Sequence, residues 1–118
     1  MSDAIKKQLN DAIQKAKNWA KVGWQVTFGP HGYEVNSITQ ANALPREFPY
    51  RQEAVGYWKN VEGLSIEVTK YLEGALKAVE QGNRKEAEDK LYFAQYYERP
   101  IERNSMTSKP MYDSFMKQ

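Results

Sequence analysis

The sequence predicts an α+β domain that is predominantly α-helical: an N-terminal helix, one β-hairpin, a long antiparallel αα-hairpin and a C-terminal tail. Three observations carry the prediction. Apolar residues recur at three- and four-residue steps over residues 3–21 and again over 52–98; between them, at about 24–37, the period drops to two; and Gly82-Asn83 interrupts the longer helical pattern with turn and cap chemistry. A chain of 118 residues is long enough to bury one core and short for two of ordinary size. Residues 1–98 are therefore expected to form a single domain and 99–118 a partly ordered tail.

In the first helix Ile5, Leu9, Ala12, Ile13, Ala16 and Trp19 share a face, with Ser2 or Asp3 placed to cap it. Lys6, Lys7, Lys15, Lys17 and Lys21 occupy the remainder. Such a basic face suits either an acidic membrane surface or plain solvent above a core-packed helix, and the moderate apolarity of the stripe favours solvent. Gly23 is expected to stop this helix. Trp24, Val26 and Phe28 then alternate with Gln25 and Thr27, Gly29-Pro30-His31-Gly32 supplies a turn, and Tyr33-Glu34-Val35-Asn36 resumes the alternation. Two strands alone are marginal in water, so their apolar face must lie on helices or on another subunit. Residues 39–51 hold two prolines and read as an ordered connector.

From Gln52 to Gln81, Ala54, Trp58, Val61, Ser65, Val68, Leu72, Ala75 and Val79 alternate steps of four and three, with Tyr57, Leu64, Tyr71 and Leu76 widening the face. One long helix is the favoured reading; the rival is a break near Glu62-Gly63 with Ser65 capping a second helix. Gly82 stands where a helix C-terminus takes a left-handed residue, and Asn83-Arg84-Lys85-Glu86 is an N-cap with an acid three places on. The next helix, about 84–98, turns Ala87, Leu91 and Ala94 inward and ends before Pro100. Glu73 with Lys77 and Glu86 with Lys90 are spaced as i,i+4 ion pairs. The succession Gly82, Ala87, Leu91, Ala94 and Pro100 resembles the second half of a tetratricopeptide unit, although the closing proline falls one place late and no second copy follows. Because such arrays stabilise by stacking several repeats, the resemblance implies a helical hairpin and no function. In the tail, Pro110 is positioned to open a short helix bearing Met111, Tyr112, Phe115 and Met116.

With no cysteine, disulfide scaffolds, thiol nucleophiles and cysteine-ligated metal centres are excluded, and a cytoplasmic setting is the expectation. No stretch has the apolar length of a signal peptide or a membrane span, so a soluble protein is expected. Charge is uneven: 6 basic against 4 acidic residues over 1–50, 7 against 9 over 51–98, and 4 against 2 over 99–118. A protein that grips long nucleic acid usually carries a heavier basic excess on one face. The single histidine, His31, sits in a turn without a neighbouring acid, and Glu80, Glu86, Glu88 and Asp89 fall on polar helix faces. No nucleophile elbow, phosphate loop, dinucleotide fingerprint or zinc-protease motif occurs. No catalytic residue, metal ligand or cofactor is expected, and the chain is read as a non-enzyme.

Three features stand out as candidate surfaces. Gly56, Gly63 and Gly74 lie within about 20° of one another on the long helix, opposite its apolar stripe, where another backbone or a flat ligand could approach. Arg46-Glu47-Phe48-Pro49-Tyr50-Arg51 sets two guanidinium groups beside two rings, as for a stacked base with a phosphate or carboxylate; the competing reading plugs Phe48 and Tyr50 into the core. Leu91, Tyr92, Phe93, Tyr96 and Tyr97 leave little of the second hairpin helix polar, so either the chain itself or a partner covers it. The leading functional expectation is a small interaction protein, an accessory subunit or inhibitor, anchored on a protein partner or on a second copy through Tyr92, Tyr96, Tyr97, Tyr112 and Phe115, with the glycine stripe. The alternative is a nucleotide or short-oligonucleotide binder using Arg46, Phe48, Tyr50 and Arg51, joined by Arg99 and Arg103.

Overall fold

The structure, a computed structural model, describes residues 3–21, 23–104 and 108–118, and of residues 102–104 the backbone alone. It is predominantly helical, with one β-hairpin. In chain order come α1 (Asp3–Asn18), β1 (Val26–Phe28), β2 (Tyr33–Val35), α2 (Ile38–Ala43), α3 (Arg51–Glu80), α4 (Arg84–Glu98), a 3-10 segment (Arg99–Asn104) and α5 (Ser108–Met116). Contacts divide the chain into two compact units, residues 1–17 with 64–118, and residues 18–63.

Among its described residues the first unit contains helices and no strand. In α1 the expected stripe Ile5, Leu9, Ala12, Ile13 and Ala16 is buried, as are Val68, Leu72, Ala75 and Val79 of α3 and Ala87, Leu91 and Ala94 of α4. Ser65 interrupts the apolar stripe of α3 without cost because its hydroxyl donates to the Ala16 carbonyl of α1. At the α3–α4 turn Gly82 adopts φ +70°. This permits Asn83 N–H to reach Ala78 O at 2.9 Å and Gly82 N–H to reach Val79 O at 3.1 Å, the double closure of a Schellman motif. Asn83 then caps α4, its side-chain oxygen accepting from Glu86 N–H at 3.2 Å, while the Glu86 carboxylate accepts from Asn83 Nδ2. Pairing of Tyr71 with Tyr97 and of Gly74 with Lys90 shows that α4 runs antiparallel to α3.

The C-terminal segment folds onto α4. Phe115 is fully buried beneath the Arg84 guanidinium, 4.9 Å from its ring centroid, and Arg84 also donates to the Phe115 carbonyl at 3.3 Å. At the other end the Ser108 amide donates to Glu98 Oε2 at 2.8 Å, a carboxylate held at the start of α5. The helix begins at Ser108, two residues before the proline expected to open it.

The second unit contains the hairpin. Its strands pair Val26 with Val35, Thr27 with Glu34 and Phe28 with Tyr33. The apolar side is covered from within the unit: Trp24 packs on Trp58 at 5.1 Å and donates through Nε1 to the Tyr57 hydroxyl, Phe28 meets Tyr57 edge-on, and Tyr33 meets Phe48 at 4.5 Å. Tyr50 lies so close to Gly29 that no side chain fits there.

Two expectations of local structure need correction. The first helix ends at Asn18, and residues 19–21 form a turn in which Trp19 and Ala20 stay buried, so Gly23 is not its stop. The connector contains the helix α2, where Ser37 accepts from Gln40 N–H and the Gln40 side chain accepts from Asn36 N–H. Six residues with Ala41 alone buried are too short to display a helical period.

Candidate interaction surface

α3 remains continuous through Gly63, and in the first unit its residues 64–80 join α4 and α5 in bringing six rings into one chain of contacts. Tyr112 of α5 meets Tyr92 of α4 at 6.2 Å, Tyr92 meets Phe93 edge-on at 5.6 Å, and Phe93 stacks on Tyr71 of α3 at 5.5 Å. Tyr71 stacks in turn on Tyr97 at 5.5 Å with an interplanar angle of 8°, and Tyr97 meets Tyr96 edge-on. Offset-stacked and edge-to-face pairs at these separations are the favourable aromatic geometries. The result is a ladder rather than a set of independent side chains. Its outer rings are open: Tyr92, Phe93 and Tyr96 are 43%, 44% and 49% exposed.

Cations border the ladder. Lys90 Nζ lies 5.7 Å and Lys70 Nζ 6.0 Å from the Tyr71 centroid, and the Arg99 guanidinium lies 5.6 Å from that of Tyr96. Three acids of α4 and α5 are paired on their own helices, as Arg84–Glu88, Lys85–Asp89 and Lys109–Asp113. Among the described residues the expected pairs Glu73–Lys77 and Glu86–Lys90 do not form: Glu86 serves the cap and Lys90 lies over a ring. The Tyr97 phenol is held above the ordinary tyrosine value, foremost by neighbouring Tyr71, then by desolvation and by the Glu67 carboxylate.

Of the anchors expected from the sequence, Tyr92, Tyr96, Tyr97 and Tyr112 all belong to the ladder. Phe115 does not: it is a core residue under Arg84 and unavailable to a partner. Tyr71 and Phe93 complete the surface and were not singled out as anchors. Tyr71 was legible only as a residue at the margin of the α3 stripe, and its position at the ladder's centre depends on which α4 residues it meets.

The glycine stripe separates into two parts. Around Gly56 and Gly63 a Cβ would meet nothing within 4 Å among the described residues, so both are open. At Gly74 a Cβ would stand 3.2 Å from Lys90 Cδ. Gly74 is therefore already covered from within the chain, and its lack of a side chain lets the Lys90 stem cross α3 towards Tyr71.

In the arginine–aromatic loop one of the two guanidinium groups is engaged by the backbone. Arg51 donates through Nε to Leu44 O at 3.0 Å and through a terminal nitrogen to Asn42 O at 3.4 Å, satisfying the end of α2. Phe48 and Tyr50 are half-buried against Tyr33, and Arg46 is exposed. Arg99 belongs to the ladder, and the side chain of Arg103 lies outside the described residues. His31 is exposed in the hairpin turn. One buried acid escaped the sequence reading: Glu98 is 0% exposed. Its position four places after Ala94 continues the inward stripe of α4, which is the signal that could have found it.

Among the described residues no cluster of three or more metal-ligating side chains occurs, and no helix is long and apolar enough to cross a membrane. Compared with known proteins, the chain matches no family model, no curated protein and no solved structure.

Proposed function

We propose that this chain is a non-enzymatic interaction protein, an accessory subunit or inhibitor, that binds a protein partner through the aromatic face of α4. The observation that carries the reading is the exposure of Tyr92, Phe93 and Tyr96 at the edge of a ladder whose other rings hold them in place. Aromatic side chains have few torsions to freeze and much area to bury, and pre-stacked neighbours reduce the ordering cost further, which is why such groups concentrate binding energy. A cytoplasmic setting accords with a chain that uses no cysteine.

The test is capture of a partner from native lysate by the tagged chain and by the variant Tyr92→Ser, Phe93→Ser, Tyr96→Ser. A species held by the wild type and weakened at least about tenfold by the variant, with the far-ultraviolet circular dichroism unchanged, is the expected result. Equal capture by both overturns the reading. Light scattering on the purified chain separates a different partner from a second copy, since a homodimer would lose mass on the same substitutions. Binding of nucleotides at the Arg46–Arg51 loop draws less support, because Arg51 is engaged by Leu44 and Asn42. It predicts steeply salt-dependent binding that disappears in Arg46→Ala, Arg51→Ala.

A further inference from the structure

We infer that the ladder's partner is an acidic peptide segment carrying apolar side chains, which lays carboxylates beside Lys70, Lys90 and Arg99 and apolar groups between the exposed rings; this rests on the protein-binding reading above. Two features point to that chemistry. The first is charge left over after internal pairing. With Glu88, Asp89 and Asp113 each engaged by a basic residue on its own helix, three cations stand over rings of the ladder. Against them stand Glu67, which bears on Tyr97, and Glu73, which lines a surface hollow with Lys70. The surface thus presents positive groups to whatever docks on it, and complementary charge steers and orients a partner.

The second feature is how the rings are already used. Tyr71 stacks on both Phe93 and Tyr97 and has two ammonium groups over it, and the contacts of Tyr92 and Tyr96 with their neighbours are edge-to-face. The Arg99 guanidinium lies over Tyr96. A nucleobase would use a ring face alone. A peptide uses the whole surface: ring edges carry the positive side of the aromatic quadrupole and tyrosine hydroxyls donate, so both suit carboxylate oxygens, while the carbon surface between them suits aliphatic side chains.

Fluorescence anisotropy with four labelled probes tests this: a 15-residue peptide alternating Glu or Asp with Leu, the same peptide with Lys in place of the acids, an acidic peptide with Ser in place of Leu, and a 15-nucleotide oligothymidylate. The acidic–apolar peptide is expected to bind most tightly. Its affinity should fall about tenfold in Lys70→Gln, Lys90→Gln, the sum of two surface charge contacts, and should weaken as salt rises. Equal or tighter binding of the basic peptide or of oligothymidylate overturns the inference, as does indifference to the two lysine substitutions. If the native partner is lost in Tyr92→Ser, Phe93→Ser, Tyr96→Ser but is held unchanged by Lys70→Gln, Lys90→Gln, the charge inference fails while the protein-binding reading stands. If the serine variant retains the partner, both fail.

Discussion

Replacing Gly56 and Gly63 with alanine is expected to stabilise the protein, and the size of the effect follows from the surroundings of the two positions. Both lie inside the 30-residue helix α3, both are exposed, and a Cβ at either would have open space within 4 Å among the described residues. The folded state therefore loses nothing, while the unfolded chain loses the extra freedom of glycine; the helix-interior difference is about 1 kcal/mol at each site. Seven residues of helix separate them by about 10 Å, far enough for the effects to add to about 2 kcal/mol. For a chain of this length that corresponds to a rise of about 8 °C in thermal midpoint, or of about 1 M in the urea midpoint, with the slope of the urea transition unchanged. Urea titrations followed by circular dichroism at 222 nm measure it. Gly74→Ala provides an internal contrast, since its Cβ must displace the Lys90 stem by a few tenths of an ångström, and it should gain less. A Gly63→Ala variant that is no more stable than the parent would refute the continuity of α3 at that residue. Stabilised variants that lose a partner held by the parent would assign the open glycines to the contact surface, as the glycine alignment suggests.

Further substitutions test other parts of the structure. Phe115→Ala, which empties a fully buried position under Arg84, should cost about 3–5 kcal/mol in urea titrations and expose α5 to limited proteolysis; cleavage no faster than in the parent would count against Phe115 as the anchor of that helix. Asn83→Ala removes the side-chain acceptor at the start of α4 and should cost about 1 kcal/mol, measured the same way. Because the folded state raises the Tyr97 phenol above its ordinary value near 10, the native protein holds that proton longer than the unfolded chain does. That contribution is fully present below pH 10 and is lost as pH rises through the higher folded value, so stability falls there. Tyr71→Phe removes the largest cause, so titration of tyrosinate absorbance at 295 nm should show one phenol ionising earlier.

The chain's own sequence determined the elements whose information is local. Three- and four-residue spacing located the buried faces of α1, α3 and α4, and every residue of the long stripe from Ala54 to Val79 is buried, including Ser65. Gly82 and Asn83 specified their turn through backbone geometry and a cap that involve only nearby residues. Alternation and two glycines located the hairpin. Periodicity identifies which face of a helix is apolar but says nothing about which residue of a neighbouring helix will meet it.

That choice belongs to tertiary packing, and the candidate surface depends on it at every step. The rings of Tyr71, Tyr97 and Tyr112 come from three helices and become one surface through the register of α3, α4 and α5. Phe115 and Tyr112 are only three residues apart, yet the docking of α5 buries one under Arg84 and leaves the other at the ladder's end. Lys90 could have paired with Glu86 along its own helix; the missing side chain at Gly74 opened a path to Tyr71 instead. Composition placed the aromatic excess on the α4 segment, and packing decided which rings remain open and which charges stand beside them.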